Sequence, residues 1–103
     1  MKTIVLACSA GMSTSLLEKS MNEHIEDNKL DYKVIAVPSG EAKILIENKK
    51  QDFDIILLGP QVSYMLSQFK SITDKPVDVI PPNIYALAKG PAVIEFAEKV
   101  LNK

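Results

Sequence analysis

The residues best suited to chemistry in this 103-residue sequence form one short segment, Cys8-Ser-Ala-Gly-Met-Ser-Thr-Ser15. It contains the chain's only cysteine. A cysteine thiolate is a strong nucleophile that can attack an electrophile such as a phosphoryl group. The other residues are mostly small, and Gly11 permits a backbone turn that a β-carbon would hinder. Such a loop can point successive backbone N–H groups into one concavity, which is a binding site for an anion.

We therefore expect Cys8 to lie at the mouth of a phosphate-binding loop, as the residue that becomes phosphorylated. The loop N–H groups would stabilise the thiolate and then hold the product phosphate. Hydroxyl side chains in the loop can cap the following helix or bond to phosphate oxygens. Met12 is an apolar side chain at the tip of the loop, where it either contacts a partner protein or folds back onto the helix. The predicted phosphate-binding loop consists of Ser9, Ala10, Gly11, Met12, Ser13, Thr14 and Ser15.

The elements that must position this loop follow from alternating apolar runs and helical patterns. Residues 3–7 form a short, continuous apolar run, which is typical of a strand buried on both faces. Residues 14–28 are predicted to form a helix, because apolar side chains four residues apart would lie on one of its faces. Pro81-Pro82 predicts an irregular turn. Further strands are predicted over 31–37, 54–58 and 77–80, and further helices over 40–50 with Ser39 as N-cap, after Gly59-Pro60, and from Pro91.

The resulting βαβαβαβα order predicts an α/β fold, with a four-stranded parallel sheet and helices on both faces. Right-handed crossovers leave few topologies. We predict the strand order 2-1-3-4, which has a switch point between strands 1 and 3. Ligands bind outside the carboxyl ends of strands at such a point. Residues 8–15 leave strand 1 there, and residues 59–64 leave strand 3.

A rim around the predicted site comes from the segments after strands 3 and 4. Gln61 or Tyr64 can orient a phosphoryl donor or contact the phosphate, but the segment also reads as a plain helix start with Tyr64 partly exposed. The apolar stretch after strand 4 either joins a docking face or only caps the core. The predicted rim residues are Pro60, Gln61, Tyr64, Pro81 and Tyr85.

Composition excludes several other functions. A length of 103 residues fits one domain, and 47% hydrophobic residues argue against disorder. A net charge of −1 without a basic stripe argues against nucleic-acid binding. One cysteine fits a reducing cytosol, and no signal peptide or membrane span is apparent. We expect no metal and no cofactor, because the sequence has no Cys/His cluster, no carboxylates at ligand spacing and no Walker pattern.

His24 is the only histidine and a rival phosphoryl acceptor. It is expected in the middle of the first predicted helix, beside an apolar face and with no anion-binding loop near it. We therefore interpret it as a half-buried or surface residue with a structural role.

The cysteine loop resembles that of the low-molecular-weight tyrosine phosphatases, which place Cys-x5-Arg-Ser/Thr between a first strand and a first helix. Counting from Cys8, the arginine position falls on Thr14 and the next residue is Ser15. That missing guanidinium would clamp phosphoryl oxygens in the transition state. Without it, and without an evident aspartic general acid, attack by water on a phosphocysteine should be slow.

A closer resemblance covers nearly the whole chain. Residues 8–16, Leu58-Gly-Pro-Gln-Val-Ser-Tyr-Met-Leu66 and Lys75-Pro-Val77 resemble the IIB component of the lactose/cellobiose/chitobiose class of bacterial sugar phosphotransferase systems. The resemblance implies a single type-3 IIB domain over residues 1–103, with a fold like that of the low-molecular-weight phosphatases. It also implies that Cys8 accepts a phosphoryl group from a phosphohistidine of the IIA component. Cys8 would pass it to a disaccharide such as cellobiose, diacetylchitobiose or lactose, transported by the membrane permease IIC.

The resemblance further implies a monomer that works in the cytoplasm, forms transient complexes and reaches the membrane through IIC without inserting. Two alternatives stay open at the sequence level. One is a small phosphatase-like enzyme, against which Thr14 argues. The other is a non-catalytic, anion-binding regulatory module that uses the same loop.

Overall fold

The sheet that carries the predicted site has four parallel strands in the order β2-β1-β3-β4, seen in a computed structural model that describes residues 2–9 and 12–102. The order and the parallel pairing confirm the predicted topology, including the switch point between β1 and β3. The continuous apolar runs account for the two central strands. The strands are Lys2–Cys8 (β1), Tyr32–Pro38 (β2), Ile55–Leu58 (β3) and Val77–Val79 (β4).

Helical segments follow each strand. The segment after β3 begins as a 3-10 helix, Pro60–Met65, and continues directly as an α-helix. Its kink is at Val62, whose φ of −119° and ψ of 25° are not helical. The α-helices are Met12–Asp27 (α1), Ser39–Glu47 (α2), Leu66–Ile72 (α3), Pro82–Ala86 (α4) and Gly90–Leu101 (α5).

Alternation along the two central strands divides the core into two apolar clusters, one on each face of the sheet. Ile4, Leu6 and Cys8 of β1 face the cluster that includes buried residues of α1 and α5. Val5 and Ala7 face the other cluster, which includes buried residues of α2 and α3. Both central strands are therefore covered on both faces, as their continuous apolar runs predicted.

Three local predictions were wrong. Pro82, expected with Pro81 to form an irregular turn, begins α4, because proline fits the first turn of a helix, where its missing N–H has no partner. Ser39 is not the N-cap of α2: the helix begins at Ser39 itself, after Pro38, with no side-chain capping bond. His24, expected in mid-helix, lies in the last turn of α1.

Candidate functional site

Cys8 is the last residue of β1, at the carboxyl edge of the sheet and at the switch point beside β3. Its side chain points toward the cluster under α1 and α5, and the residue is only 1% exposed. Cys8 has the predicted position in the fold, but its thiol is less accessible than we expect for a residue at the mouth of a phosphate-binding loop. The reason lies in the strand alternation, which turns residue 8 to the same buried face as Ile4 and Leu6.

Helix α1 begins at Met12, four residues after Cys8, and is 16 residues long. The N-terminal end of such a helix carries roughly half a positive charge and unpaired N–H groups. Because so short a connection follows β1, this end lies at the carboxyl edge of the sheet, where Cys8 is. The electrostatic environment therefore favours an anion at this edge.

The predicted phosphate-binding loop is only partly within the described residues. Ser9 and Ser15 are exposed. Ala10 and Gly11, and the side chains of Met12, Ser13 and Thr14, lie outside the described part of the chain. The loop's predicted contacts with phosphate, and the two interpretations of Met12, stay predictions.

Gly59 is the residue of the β3 end that lies directly against Cys8. Its N–H donates to the Ala7 carbonyl at 2.9 Å, which extends the pairing of the two central strands by one step. A β-carbon added at Gly59 would lie 3.1 Å from the Cys8 Sγ and 3.0 Å from the Gln61 Oε1. The thiol and the Gln61 amide therefore approach one point from two sides, which is the juxtaposition that the switch point predicts.

An open groove of about 540 Å³ lies next to this point, between the segment after β3 and α4. Of the predicted rim residues, the structure brings Pro60, Gln61 and Tyr85 together in this groove. Pro81 is half-buried just before α4. Tyr64 is 72% exposed and does not line the groove. Sequence reasoning missed α4, although the proline at its start was a usable signal. The groove is lined by Pro60, Gln61, Pro82, Tyr85 and Ala86.

Tyr85 belongs to the core and to the groove, and its predicted docking role stays a prediction. It is 5% exposed and belongs to the apolar cluster that contains Cys8, and it also lines the groove. The stretch therefore caps the core and forms one wall of the groove at once.

His24 lies at the other end of α1, twelve residues from Met12 and so about 18 Å along the helix axis. It is half-buried, and its Nδ1 is 3.0 Å from the Asn28 Nδ2, which also donates to the His24 carbonyl. This pairing ties the ring to the end of the helix. The prediction of a structural histidine is consistent with that position.

Residues 2–9 and 12–102, which the structure describes, contain neither a membrane-spanning helix nor a cluster of metal-binding side chains. In that part of the chain, no helix combines the length and the apolar character that crossing a membrane requires. The same residues contain no group of three or more His, Cys, Asp and Glu side chains arranged to hold a metal ion.

Comparison with known proteins decides the family. Residues 3–96 match the family model described as "PTS system, Lactose/Cellobiose specific IIB subunit". The chain belongs to this IIB family. It is 37% identical over 105 aligned positions to the "PTS system cellobiose-specific EIIB component" of Lactococcus lactis subsp. lactis, with 98% of this chain and 97% of that protein covered. The family assignment makes this IIB chain a phosphotransferase component, as the resemblance in its sequence predicted.

Two further proteins extend the comparison. The IIB chain is 36% identical to the "PTS system galactose-specific EIIB component" of Lactococcus lactis subsp. cremoris, covering 98% of this chain and 97% of that one. The solution structure of the cellobiose-specific phosphotransferase IIB component from Borrelia burgdorferi superposes with a TM-score of 0.76 at 25% identity, over 98% of this chain and 92% of that one. The IIB fold, which is phosphatase-like, is therefore shared along nearly the whole length.

Proposed function

We propose that residues 1–103 act as one phosphocarrier domain, in which Cys8 receives a phosphoryl group from a phosphohistidine of a IIA component and delivers it to a disaccharide. The observation that carries this proposal is the position of the single cysteine. Cys8 ends a central strand at the switch point of a IIB-family chain, and the N-terminus of a 16-residue helix follows it. A phosphate dianion is stabilised at such a place.

The transfer needs only an exchange of bonds at phosphorus. The Sγ lone pair forms the S–P bond as the P–N bond of the donor histidine breaks, and the imidazole nitrogen leaves with the electron pair. The thiol proton goes to solvent and the released imidazole takes one up, so the proton count balances. Catalysis of this kind of step is mainly positioning and charge stabilisation. A loop of neutral N–H donors holds the phosphate firmly enough to accept it and loosely enough to release it.

The absence of an arginine distinguishes a carrier from a hydrolase. Thr14 stands where the low-molecular-weight phosphatases have the guanidinium that stabilises the transition state. Removing such a donor typically slows a reaction about 100- to 1000-fold. Slow attack by water would leave phosphocysteine intact long enough to reach the sugar.

The buried thiol sets a condition on the donor complex. Since Cys8 is 1% exposed, the donor's phosphoryl group reaches Sγ only after neighbouring groups move aside. Gln61 is an exposed residue whose side-chain end borders the same space above Gly59 as the sulfur, so it can move without disturbing the core. Docking in the groove beside Gln61 would place a partner next to this opening.

Membership of the IIB family supports a proposal for the partners. We propose that the donor is the system's IIA component, that the acceptor is a disaccharide held by the permease IIC, and that the chain works at the cytoplasmic face of the membrane as a monomer in transient complexes. Relatives of nearly equal identity are named as cellobiose-specific and galactose-specific, so overall identity does not separate the sugars. Sugar selectivity is expected to lie in IIC.

The proposal is tested by phosphorylating the purified chain with phosphoenolpyruvate, the general phosphotransferase proteins and a matching IIA component. Mass spectrometry of the wild type should find one phosphoryl group on Cys8. Cys8→Ser should remain folded and carry none. His24→Gln, which removes the rival acceptor at the far end of α1, should be labelled like the wild type. Phosphate on His24, or sustained release of inorganic phosphate by the wild type, would contradict the carrier assignment.

A further inference from the structure

The space above Gly59 has an unusual pair of neighbours. The point where a β-carbon would stand is in contact range of the Cys8 Sγ at 3.1 Å and of the Gln61 Oε1 at 3.0 Å. Gly59 adopts φ −66° and ψ 150°, an extended conformation open to any residue, so its backbone does not require glycine. What the missing side chain provides is room between the sulfur and the amide. This space would be closed by alanine.

We infer that the Gln61 side-chain amide donates a hydrogen bond to the phosphoryl group while that group is on Cys8. The inference rests on the proposed function, since it needs a phosphorylated sulfur. A phosphoryl oxygen lies one S–P bond and one P–O bond away from Sγ, which brings it toward an amide that shares a point of contact with the sulfur. Rotation about the last side-chain bond exchanges Oε1 and Nε2, so the same side-chain position offers an N–H donor.

A glutamine amide has the chemistry that a carrier needs. Hydrogen bonds to a charged acceptor are stronger than neutral ones, so one amide N–H contributes to holding the dianion. The amide has no charge, so it does not bind phosphate as tightly as the bidentate guanidinium of a phosphatase does. The backbone of Gln61 is fixed because the residue belongs to the 3-10 helix Pro60–Met65. Its exposed side-chain end stays free to move. The residue can therefore let the donor in and then close on the transferred group.

The experiment compares Gln61→Glu and Gln61→Ala with the wild type, using Gln68→Glu as the matched control. Gln68 is an exposed glutamine on α3, which packs against the face of the sheet opposite to the Cys8 side chain, so its replacement makes the same charge change on the surface. Two quantities are measured: the rate of phosphorylation by phospho-IIA, with kcat and KM separated, and the pH midpoint of the phosphocysteine signal in ³¹P NMR. Circular dichroism confirms that each variant is folded.

Loss of the donor should lower kcat about 10- to 100-fold in Gln61→Ala, and further in Gln61→Glu, where a carboxylate faces the phosphate. The ³¹P midpoint should move to higher pH in both variants, because the dianion loses a donor, and more in Gln61→Glu. Gln68→Glu should match the wild type in both measurements. A purely structural role would not move the midpoint of a folded variant.

Two results would overturn the inference while leaving the proposed function intact. One is a labelled Cys8 in the Gln61 variants with unchanged kcat and an unchanged midpoint. The other is a raised KM for phospho-IIA alone, which would make Gln61 a docking residue. A wild-type chain that takes no phosphate on Cys8 would instead overturn the proposed function, and this inference with it.

Discussion

Residues 8 and 59 form the smallest unit that explains the site. Cys8 ends β1, and Gly59 follows β3 at the neighbouring position of the sheet. A side chain at 59 would press on the sulfur and on the Cys8 Cβ, at 3.1 and 3.4 Å. Both distances are at or below the usual lower limit for carbon contacts in a packed interior. The orientation of the nucleophile therefore depends on a residue that has no side chain.

Gly59→Ala is predicted to slow phosphorylation of Cys8 by more than tenfold while the protein remains folded. The three atoms nearest to the added methyl are the Gln61 Oε1, the Cys8 Sγ and the Cys8 Cβ, which all belong to side chains, so these groups can shift by a few tenths of an ångström. Overpacking of this kind typically costs about 1–3 kcal/mol of stability. Phosphorylation kinetics and urea unfolding of the same sample check the two parts. A variant that unfolds outright, or one labelled at the wild-type rate, would disagree with this reading.

The site's position was predictable from sequence, and its finer geometry was not. Strand order and loop placement follow from hydrophobic periodicity and the handedness of crossovers, and they bring Cys8 and Gln61 to one edge. Burial of the thiol depends on the face of β1 to which the side chain of residue 8 points. The sequence does not indicate that face, since β1 is covered on both sides and has no polar face. Gln61 reaches the space above Gly59 from a 3-10 helix, which the sequence pattern did not separate from an α-helix.

At the scale of elements, a close contact with α5 fixes the position of α1, the helix that follows Cys8. The Gly90 N–H donates to the Ser20 Oγ at 2.9 Å. A β-carbon at Gly90 would clash with the Met21 nitrogen and with the Ser20 carbonyl carbon, which are backbone atoms that cannot move aside. The two helices therefore touch at a point that only glycine allows, and this contact anchors α1 in place.

Gly90→Ala is predicted to destabilise the protein by at least about 2 kcal/mol, because the methyl forces α5 away from the backbone of α1. Gly40→Ala is the matched control: Gly40 lies in α2 with nothing within 4 Å of its added β-carbon. That change should stabilise by about 0.5–1 kcal/mol, since alanine is the better helix former. Urea unfolding of both variants measures the difference. Equal effects of the two substitutions on the free energy of unfolding would show that α1 and α5 are not in close contact at Gly90.

The element boundaries show why some predictions failed. Ser39 is a favourable N-cap type, yet α2 starts one residue earlier than that assignment, because Pro38 ends β2 and turns directly into the helix. The apolar spacing after Gly59 fits a helix of either kind, since a 3-10 helix and an α-helix both bring residues three apart to one side. Pro81-Pro82 signals a break and also a helix start, and the second meaning applies to α4.

The whole molecule is a sheet buried between two helical layers. Tyr32 lies at the edge of that sheet and covers part of the core on one face. This residue opens β2, an edge strand, and packs half-buried against the cluster that includes α1 and α5. Burial raises the pKa of Tyr32 above its ordinary 10.0, and the negative charge of Glu98 on α5 raises it further. The folded state therefore keeps the phenol proton at a pH where the unfolded chain has already lost it.

This linkage predicts an alkaline loss of stability. Below pH 10 both states are protonated, and the contribution of Tyr32 is fully present. As the pH rises above 10, the unfolded state binds fewer protons, so the free energy of unfolding falls until the folded phenol also ionises. Tyr32→Phe should flatten this fall, and Glu98→Gln should reduce it in part by removing the second cause. Glu95→Gln, an equal charge change at an exposed site of α5, should leave the slope as in the wild type. Urea unfolding between pH 8 and about pH 11 measures the slopes; a Tyr32→Phe slope equal to that of the wild type would mean that this tyrosine is not linked to folding.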